Sequence, residues 1–193
     1  MSKTIILLFH PDLSRSNANA ALARAAAELP DVEVVDMQSV YPNGIDMHRD
    51  GESEAARLLA ADRIVFQFPM QWYSTPPLLK AWQDAVLTRM FYMNYEAEGR
   101  MFEGTELLLA VTLGNSADAY RPGGSNMFEI DALFAPLRAT ANRCGLTWSS
   151  PFVLYEAHRL SPEALETAAL AYADRLTTWI ASTPTRNAEV AYA

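Results

Sequence analysis

The chain has 193 residues, of which 50% are hydrophobic and 20% are charged, a composition typical of one globular domain. Its formal net charge of -8 argues against a nucleic-acid partner, because affinity for a phosphate backbone comes mostly from lysines and arginines. The single cysteine, Cys144, cannot form an internal disulfide, and the apolar run at residues 5–9 is too short for a signal peptide. We therefore expect a cytoplasmic protein.

The first third of the chain alternates apolar runs with helical segments. Residues 4–9 form an apolar run typical of a buried strand, and an alanine-rich helix is predicted over residues 18–29. A second short strand is predicted over residues 32–35. Residues 37–51 show no periodicity, and a short helix is predicted after them, over residues 52–61.

The third strand leads into the most distinctive stretch of the chain. The β-branched and aromatic residues 64–68 predict a buried strand, and Pro69 ends it because proline lacks a backbone donor. The loop that follows carries Trp72 and Tyr73. It ends in Ser-Thr-Pro-Pro at residues 74–77, which predicts the start of a helix that runs to about residue 87.

The second half of the chain continues the alternation after a long loop. The segments predicted there are a loop over residues 87–103, strands over 107–111 and 148–154, and helices over 128–144 and 161–181. Five strands alternating with five helices predict an α/β fold with a doubly wound parallel sheet of order 2-1-3-4-5 and helices on both faces. We expect a single domain over residues 1–181 and a loosely ordered C-terminal tail over residues 182–193.

Three loops follow the carboxyl ends of strands in this sheet, at residues 10–19, 69–74 and 112–116, and ligands bind outside that edge of an open parallel sheet. Ser16 and Asn17 lie at a helix start, where free N–H groups suit a phosphate. Both glycine-rich phosphate fingerprints are absent. Two interpretations remain: a mononucleotide phosphate held by hydroxyls and helix amides, or a plain N-cap.

Other candidate residues also allow two interpretations. Trp72 and Tyr73 are placed either to stack on a flat ligand or to pack as core or interface aromatics. His10 lies where a strand becomes a loop, as a site residue or as a structural histidine. Because His10, His48 and His158 are far apart in sequence and have no cysteine partners at ligand spacing, we expect no metal site.

One set of motifs is far more specific than these single residues. The motifs are His10-Pro11, Ser16-x-x-Asn19, Pro69-Met70-Gln71-Trp72-Tyr73-Ser74, Pro76-Pro77-Leu78-Leu79-Lys80 and Trp82. In them the chain resembles the NAD(P)H:quinone oxidoreductase family, which has a flavodoxin-like fold. The likeness is greatest to a short bacterial branch that includes the general stress protein type and the ancillary subunit of a glutathione-gated potassium efflux system.

The resemblance implies a bound flavin, FMN or alternatively FAD, with NAD(P)H as co-substrate. Carried over by motif position, the flavin phosphate contacts fall on His10, Ser16, Asn17, Ala18 and Asn19. The ring contacts fall on Met70, Gln71, Trp72 and Tyr73, and on a second loop at Thr112, Leu113, Gly114 and Asn115.

The chain departs from the family pattern at three positions. The second ring loop usually reads Thr-Thr-Gly-Gly, so Leu113 and Asn115 are departures, and we expect altered loop geometry because asparagine has less access to positive φ than glycine. Larger members carry a tyrosine and a histidine near the pyrimidine edge of the flavin. Tyr120 matches the tyrosine and is our candidate catalytic residue, whereas Asn126 stands in place of the histidine.

The leading hypothesis from the resemblance is a flavin-dependent NAD(P)H oxidoreductase that reduces quinones or similar acceptors by two electrons. One alternative is a regulatory ancillary subunit that docks on a membrane potassium efflux transporter, with secondary reductase activity. A second alternative is a flavodoxin-type electron carrier, although the first loop lacks the threonine- and glycine-rich sequence of such carriers. The apolar run at residues 90–95, together with the resemblance, predicts a homodimer.

Overall fold

The computed structural model describes residues 3–185, which form an α/β fold around one parallel sheet. Its strands are β1 Thr4–Leu8, β2 Val32–Asp36, β3 Arg63–Pro69, β4 Glu106–Thr112, β5 Thr147–Trp148 and β6 Phe152–Leu154. They are ordered β2-β1-β3-β4-β5, and β6 also pairs with β4. Every pair is parallel. The predicted fold class and strand order are confirmed.

The predicted fifth strand is present as two short pieces. β5 pairs with the start of β4, with Trp148 opposite Leu107, and β6 pairs with the end of β4, with Phe152 opposite Ala110. Pro151 lies between the pieces and cannot donate to the ladder. The edge strand is therefore interrupted where the proline occurs, and the sheet gains a sixth strand.

Helices cover both faces of the sheet, as predicted. They are α1 Asn17–Ala27, α2 Met37–Val40, α3 Met47–Leu59, α4 Pro77–Trp82, α5 Arg100–Phe102, α6 Ile130–Leu133, α7 Ala135–Arg143 and α8 Pro162–Ser182. On one face, α1 and α8 bury Leu22 and Tyr172 against the sheet. On the other, the Trp82 ring of α4 packs edge-on against Phe9 and Phe66, with centroids 5.9 and 5.5 Å away.

The prediction of a loop over residues 87–103 is wrong. Met90, Phe91 and Phe102 are buried, so the apolar residues of this stretch belong to the core. Gly99 permits close packing, because a Cβ atom there would lie 2.6 Å from the Met90 carbonyl oxygen. A π-helix has wider turns than an α-helix, so its side chains do not repeat every 3.6 residues and the sequence pattern does not reveal it. The chain runs from α4 into α5 through π-helical turns at Gln83–Leu87, Arg89–Met93 and Tyr95–Gly99.

Three other predicted segments differ from the structure. The helix predicted from residue 52 begins at Met47, because Asp46 caps it by accepting from the backbone N–H groups of His48 and Arg49. The aperiodic segment before it also contains α2, which Asp36 caps. The helix predicted over residues 128–144 is divided into α6 and α7, with a proline in the first turn of α7.

The C-terminal end of the described chain is fixed to the sheet. α8 ends at Ser182, and the Arg63 guanidinium donates to the hydroxyl and carbonyl oxygens of Thr183. Most of the tail predicted over residues 182–193 lies outside the described residues, so its looseness stays a prediction. No helix within residues 3–185 combines the length and apolar character needed to cross a bilayer.

Candidate functional site

Two neighbouring cavities open at the carboxyl edge of the sheet. The first, here called the phosphate cavity, has a volume of about 360 Å³. It is lined by His10, Arg15, Ser16, Asn17, Ala18, Asn19, Pro69, Met70, Thr112, Leu113, Gly114, Ala157 and His158. The second, the ring cavity, has a volume of about 320 Å³. It is lined by Met70, Trp72, Tyr73, Gly114, Asn115, Tyr120, Asn126 and Arg159.

The N-terminus of α1 forms one wall of the phosphate cavity. Ser16 is its N-cap: Ser16 Oγ accepts from Asn19 N at 3.1 Å, and Ser16 O accepts from Ala20 N at 3.3 Å. The first turn of a helix leaves its earliest N–H groups without intrahelical partners, so those of Asn17 and Ala18 remain to bind a ligand. The cap role of Ser16 and a phosphate site are therefore compatible, since they use different donors.

His10 adds a donor beside this helix start. Its Nδ1 accepts from Asp12 N at 3.1 Å, so in the neutral imidazole the proton is assigned to Nε2. Burial is the main cause that lowers the pKa of His10 below its usual value, against the opposing charges of Asp12 and Asp36. The neutral ring can then donate from Nε2 without carrying a charge.

A buried polar cluster lies beneath the phosphate cavity, where α1 meets β3 and β4. Asn19 Nδ2 donates to Thr112 Oγ1 at 3.0 Å, and Gln67 Nε2 donates to Asn19 O at 2.9 Å. All three residues are buried. The side-chain oxygens of Asn19 and Gln67 are also buried, and neither has a hydrogen-bond partner among the described residues. The cluster ties the helix start to the sheet, and it explains why Asn19 lies at the site with its side chain facing inward.

The ring cavity is bounded by a tight turn between Gln71 and Ser74. The backbones of these two residues exchange hydrogen bonds at 2.9 and 3.0 Å. The two central residues, Trp72 and Tyr73, have φ angles of 46° and 64°. This is the φ pattern of a type I′ turn, which favours Asn-Gly rather than bulky residues. Trp72 is 93% exposed, so an aromatic side chain is held in a strained conformation with almost no contact of its own.

The loop after β4 joins the two cavities. Leu113 is buried in the core, its N–H donates to Leu154 O, and its carbonyl accepts from Ala157 N. Asn115 is absent from the described residues that have positive φ. The backbone therefore does not need glycine at either position, and the altered flavin-binding geometry expected from the Leu113 and Asn115 departures stays a prediction.

Tyr120 stands at the rim of the ring cavity, just after a 3-10 turn at Ala117–Ala119. Its ring lies 6.0 Å from that of Tyr155. Burial is the main cause that raises the pKa of Tyr120, with smaller effects from Tyr73 and Tyr155, and a hydrogen bond with Asn126 opposes them. The phenol therefore stays protonated and can donate a hydrogen bond. Asn126 also accepts from Tyr73 Oη at 3.4 Å.

The structure gathers the predicted site residues, with one exception. Gln71 lines neither cavity but borders a separate pocket beside His10 and Pro76. Sequence reasoning missed the loop after β6, which supplies Ala157, His158 and Arg159. The strand order could have identified this loop, because it also follows the carboxyl end of a strand. Gly114 lies opposite this loop, and a Cβ atom on it would make an ordinary van der Waals contact with His158 Nδ1, at 3.8 Å.

Comparisons with known proteins agree with this fold. A family model described as a flavodoxin-like fold matches residues 2–177. The glutathione-regulated potassium-efflux system ancillary protein KefF of Salmonella typhimurium is 38% identical over 175 residues, which cover 91% of this chain and 96% of the relative.

Two solved structures extend the comparison. An NADPH-quinone reductase from P. pentosaceus is 29% identical with a TM-score of 0.74, and the match covers 90% of this chain and 96% of the other. General stress protein 14 from Treponema denticola, in complex with FMN, is 33% identical with a TM-score of 0.80 and coverages of 91% and 98%.

Proposed function

This chain belongs to the flavodoxin-like family that includes NAD(P)H:quinone oxidoreductases, and we propose that it is an FMN-dependent oxidoreductase that uses NAD(P)H to reduce quinones or similar acceptors by two electrons. One observation carries the proposal: the phosphate cavity, which has donors suited to an anion, and the ring cavity, which has aromatic walls, share Met70 and Gly114. A phosphate joined by a short chain to a flat ring system matches that pairing.

The residues present fit FMN. The N–H groups of Asn17 and Ala18, the Nε2–H of His10 and the Arg15 side chain are donors suited to a phosphate. Trp72 and Tyr73 present aromatic surface to the ring cavity. The neighbour that contains FMN supports FMN over FAD, which stays the alternative cofactor. When bound, the flavin supplies the two-electron chemistry.

The protein's own residues position substrates and hold protons. Tyr120 donates from a protonated phenol at the rim of the ring cavity, a contact that strengthens when its acceptor gains negative charge. Asn126 can donate a hydrogen bond but cannot hold a proton, so no relay runs through it.

The test is to purify the protein, record its visible spectrum and identify any released flavin. We expect a yellow protein that contains FMN and oxidises NAD(P)H when a quinone is added. A colourless protein that takes up neither FMN nor FAD would end the proposal. Turnover by the purified protein alone also separates it from a flavodoxin-type carrier, which would need a partner reductase.

A second candidate function is that of an ancillary subunit on a membrane transporter. The similarity to KefF favours it, because that relative is named as an ancillary protein of a potassium-efflux system. Exposed apolar side chains, Tyr92 and Met93 after α4 and Met101 on α5, offer a surface for a protein partner. A gene for a potassium efflux transporter next to this one, and co-purification of the two products, would support docking.

The same surface supports the homodimer predicted from residues 90–95. Within that run, Met90 and Phe91 are buried, whereas Tyr92 is 69% exposed and Met93 is 55% exposed. An apolar surface of this kind is typical of association between chains. We expect sedimentation to give a dimer at micromolar concentration, and a monomer at that concentration would contradict the proposal.

A further inference from the structure

A third cavity lies between α4 and α7, next to the ring cavity. It has a volume of about 150 Å³ and shares Met70 and Tyr73 with the ring cavity. Phe68, Phe134 and Leu137 form its apolar walls, and all three side chains are buried in the core. Walls that are fixed by core packing give a pre-formed pocket rather than a surface groove.

The size of this cavity limits its ligand. An apolar cavity of about 150 Å³ is large enough to hold benzene. It therefore accommodates one aromatic ring and excludes a nucleotide or a two-ring system. Because the ring cavity adjoins it, a ring in this pocket can belong to a larger molecule whose second part lies beside Tyr73.

Two polar side chains in the lining already have partners. Lys80 Nζ is paired with Asp84, and Thr140 Oγ1 donates to Pro136 O at 3.0 Å. Gln83 is different, because its Nε2 is buried and has no hydrogen-bond partner among the described residues. The terminal torsion of a glutamine side chain is broad, so a small rotation can turn this N–H to a ligand. An unpaired buried amide favours a ligand that brings an acceptor oxygen.

We propose that this cavity, the acceptor pocket, binds one aromatic ring that carries a carbonyl group, with Gln83 donating to the carbonyl. The proposal rests on the proposed function: the natural ligand is a quinone with a fused benzene ring, which enters the acceptor pocket while the quinone ring faces the ring cavity. The acceptor pocket thereby favours two-ring quinones over single-ring quinones.

The test uses two ligands of nearly the same shape that undergo no redox reaction here. Acetophenone has a ring and a carbonyl, and α-methylstyrene replaces the carbonyl oxygen by a CH₂ group. Binding is measured on the purified holoenzyme by NMR titration. One net hydrogen bond is worth roughly fivefold to tenfold in affinity, so we expect acetophenone to bind more tightly by about that factor.

Three variants test whether Gln83 and the acceptor pocket cause this difference in affinity. Gln83→Met keeps the side-chain length without the amide, and both ligands should then bind equally. Leu137→Phe fills the acceptor pocket, and both should stop binding. Thr140→Leu narrows it from α7 if Leu137→Phe folds poorly. Thr167→Leu on α8 is the control for Thr140→Leu. Like Thr140 Oγ1, Thr167 Oγ1 donates to the carbonyl four residues earlier, at 3.0 Å, but it lies far from the pocket.

The outcomes separate this proposal from the proposed function. Equal binding of the two ligands by the wild type, or binding that survives both Leu137→Phe and Thr140→Leu, would overturn the acceptor pocket. A ligand affinity that falls as protein concentration rises would also overturn the acceptor pocket, because a side chain of a second copy would then compete for the space. Failure to hold flavin would remove the quinone interpretation but leave the acetophenone result standing. With active enzyme, Leu137→Phe should lower kcat/KM for 1,4-naphthoquinone about fivefold or more relative to 1,4-benzoquinone.

Discussion

The two ends of the candidate site are built in opposite ways. At the phosphate end, Asn19 and Thr112 are buried and hydrogen-bonded, and the helix start is capped before any ligand arrives. At the ring end, Trp72 is almost fully exposed at a positive φ, and its turn is held by only two backbone hydrogen bonds. The phosphate end is a product of the fold, whereas the ring end stores strain that the fold alone does not explain.

This contrast indicates a division of labour. A rigid anion site fixes one end of a ligand at little further cost in conformational entropy. Strained, exposed aromatics are found where a ligand or partner completes the contact. Changes at the phosphate end should therefore alter whether the cofactor binds, and changes at the ring end should alter rates and stability.

Ser16→Asp should give the largest effect. Aspartate is as good an N-cap as serine, so α1 should persist, but a second anion then faces the phosphate. Two like charges about 4 Å apart repel by about 4 kcal/mol in a protein surface environment, enough to weaken binding roughly 1,000-fold. The variant should purify without flavin. Ser16→Asn has nearly the same shape without the charge and should keep the cofactor, so loss of flavin from both variants would contradict the electrostatic account.

Tyr120→Phe should affect rate rather than cofactor content. A hydrogen bond to a charged group contributes about 1.5 to 3 kcal/mol, so reduction of the bound flavin by NAD(P)H should slow by roughly 10- to 100-fold. Stopped-flow absorbance measures that step directly. Tyr155→Phe is the control, because its ring packs beside Tyr120 but does not line the ring cavity. Traces that overlay for wild type and Tyr120→Phe would show that Tyr120 is only a loop aromatic.

His10 should make the stability of the cofactor-free protein depend on pH. Its folded-state pKa is lowered by burial, whereas the unfolded chain has the ordinary value of about 6.5. As pH falls through 6.5 the unfolded state binds more protons, so the free energy of unfolding decreases. Urea unfolding at pH 8 and pH 5.5 should show a smaller decrease for His10→Gln than for wild type. His48→Gln, on the exposed first turn of α3, should leave the decrease unchanged.

The phosphate end was the more predictable from sequence. A hydroxyl before an alanine-rich helix predicts a cap, and strand order places that helix start at the sheet edge, so Ser16 and Asn17 followed from local rules. The ring end did not follow in the same way. Tryptophan does not favour positive φ, so the sequence does not predict that conformation at Trp72. His158 reaches the site because its loop pairs through the backbone with the loop after β4. The mistaken loop over residues 87–103 has the same origin, since its π-helical turns depend on tertiary packing.

Trp72→Gly should have the smallest effect, and it tests whether the ring end stores strain. A left-handed backbone costs a bulky residue about 1 to 2 kcal/mol, and glycine removes that cost but gives the unfolded chain about 0.4 to 1 kcal/mol more entropy to lose. The Trp72 side chain is 93% exposed, so little burial is lost. The cofactor-free variant should therefore be more stable by about 0.5 to 1 kcal/mol, a rise in Tm of roughly 1 to 4 °C for a chain of this size.

Trp72→Ala also removes the ring but keeps the Cβ atom and the strain. Only the glycine variant should melt at a higher temperature. If alanine stabilises as much as glycine, exposure of the indole rather than backbone strain is the cost at this turn.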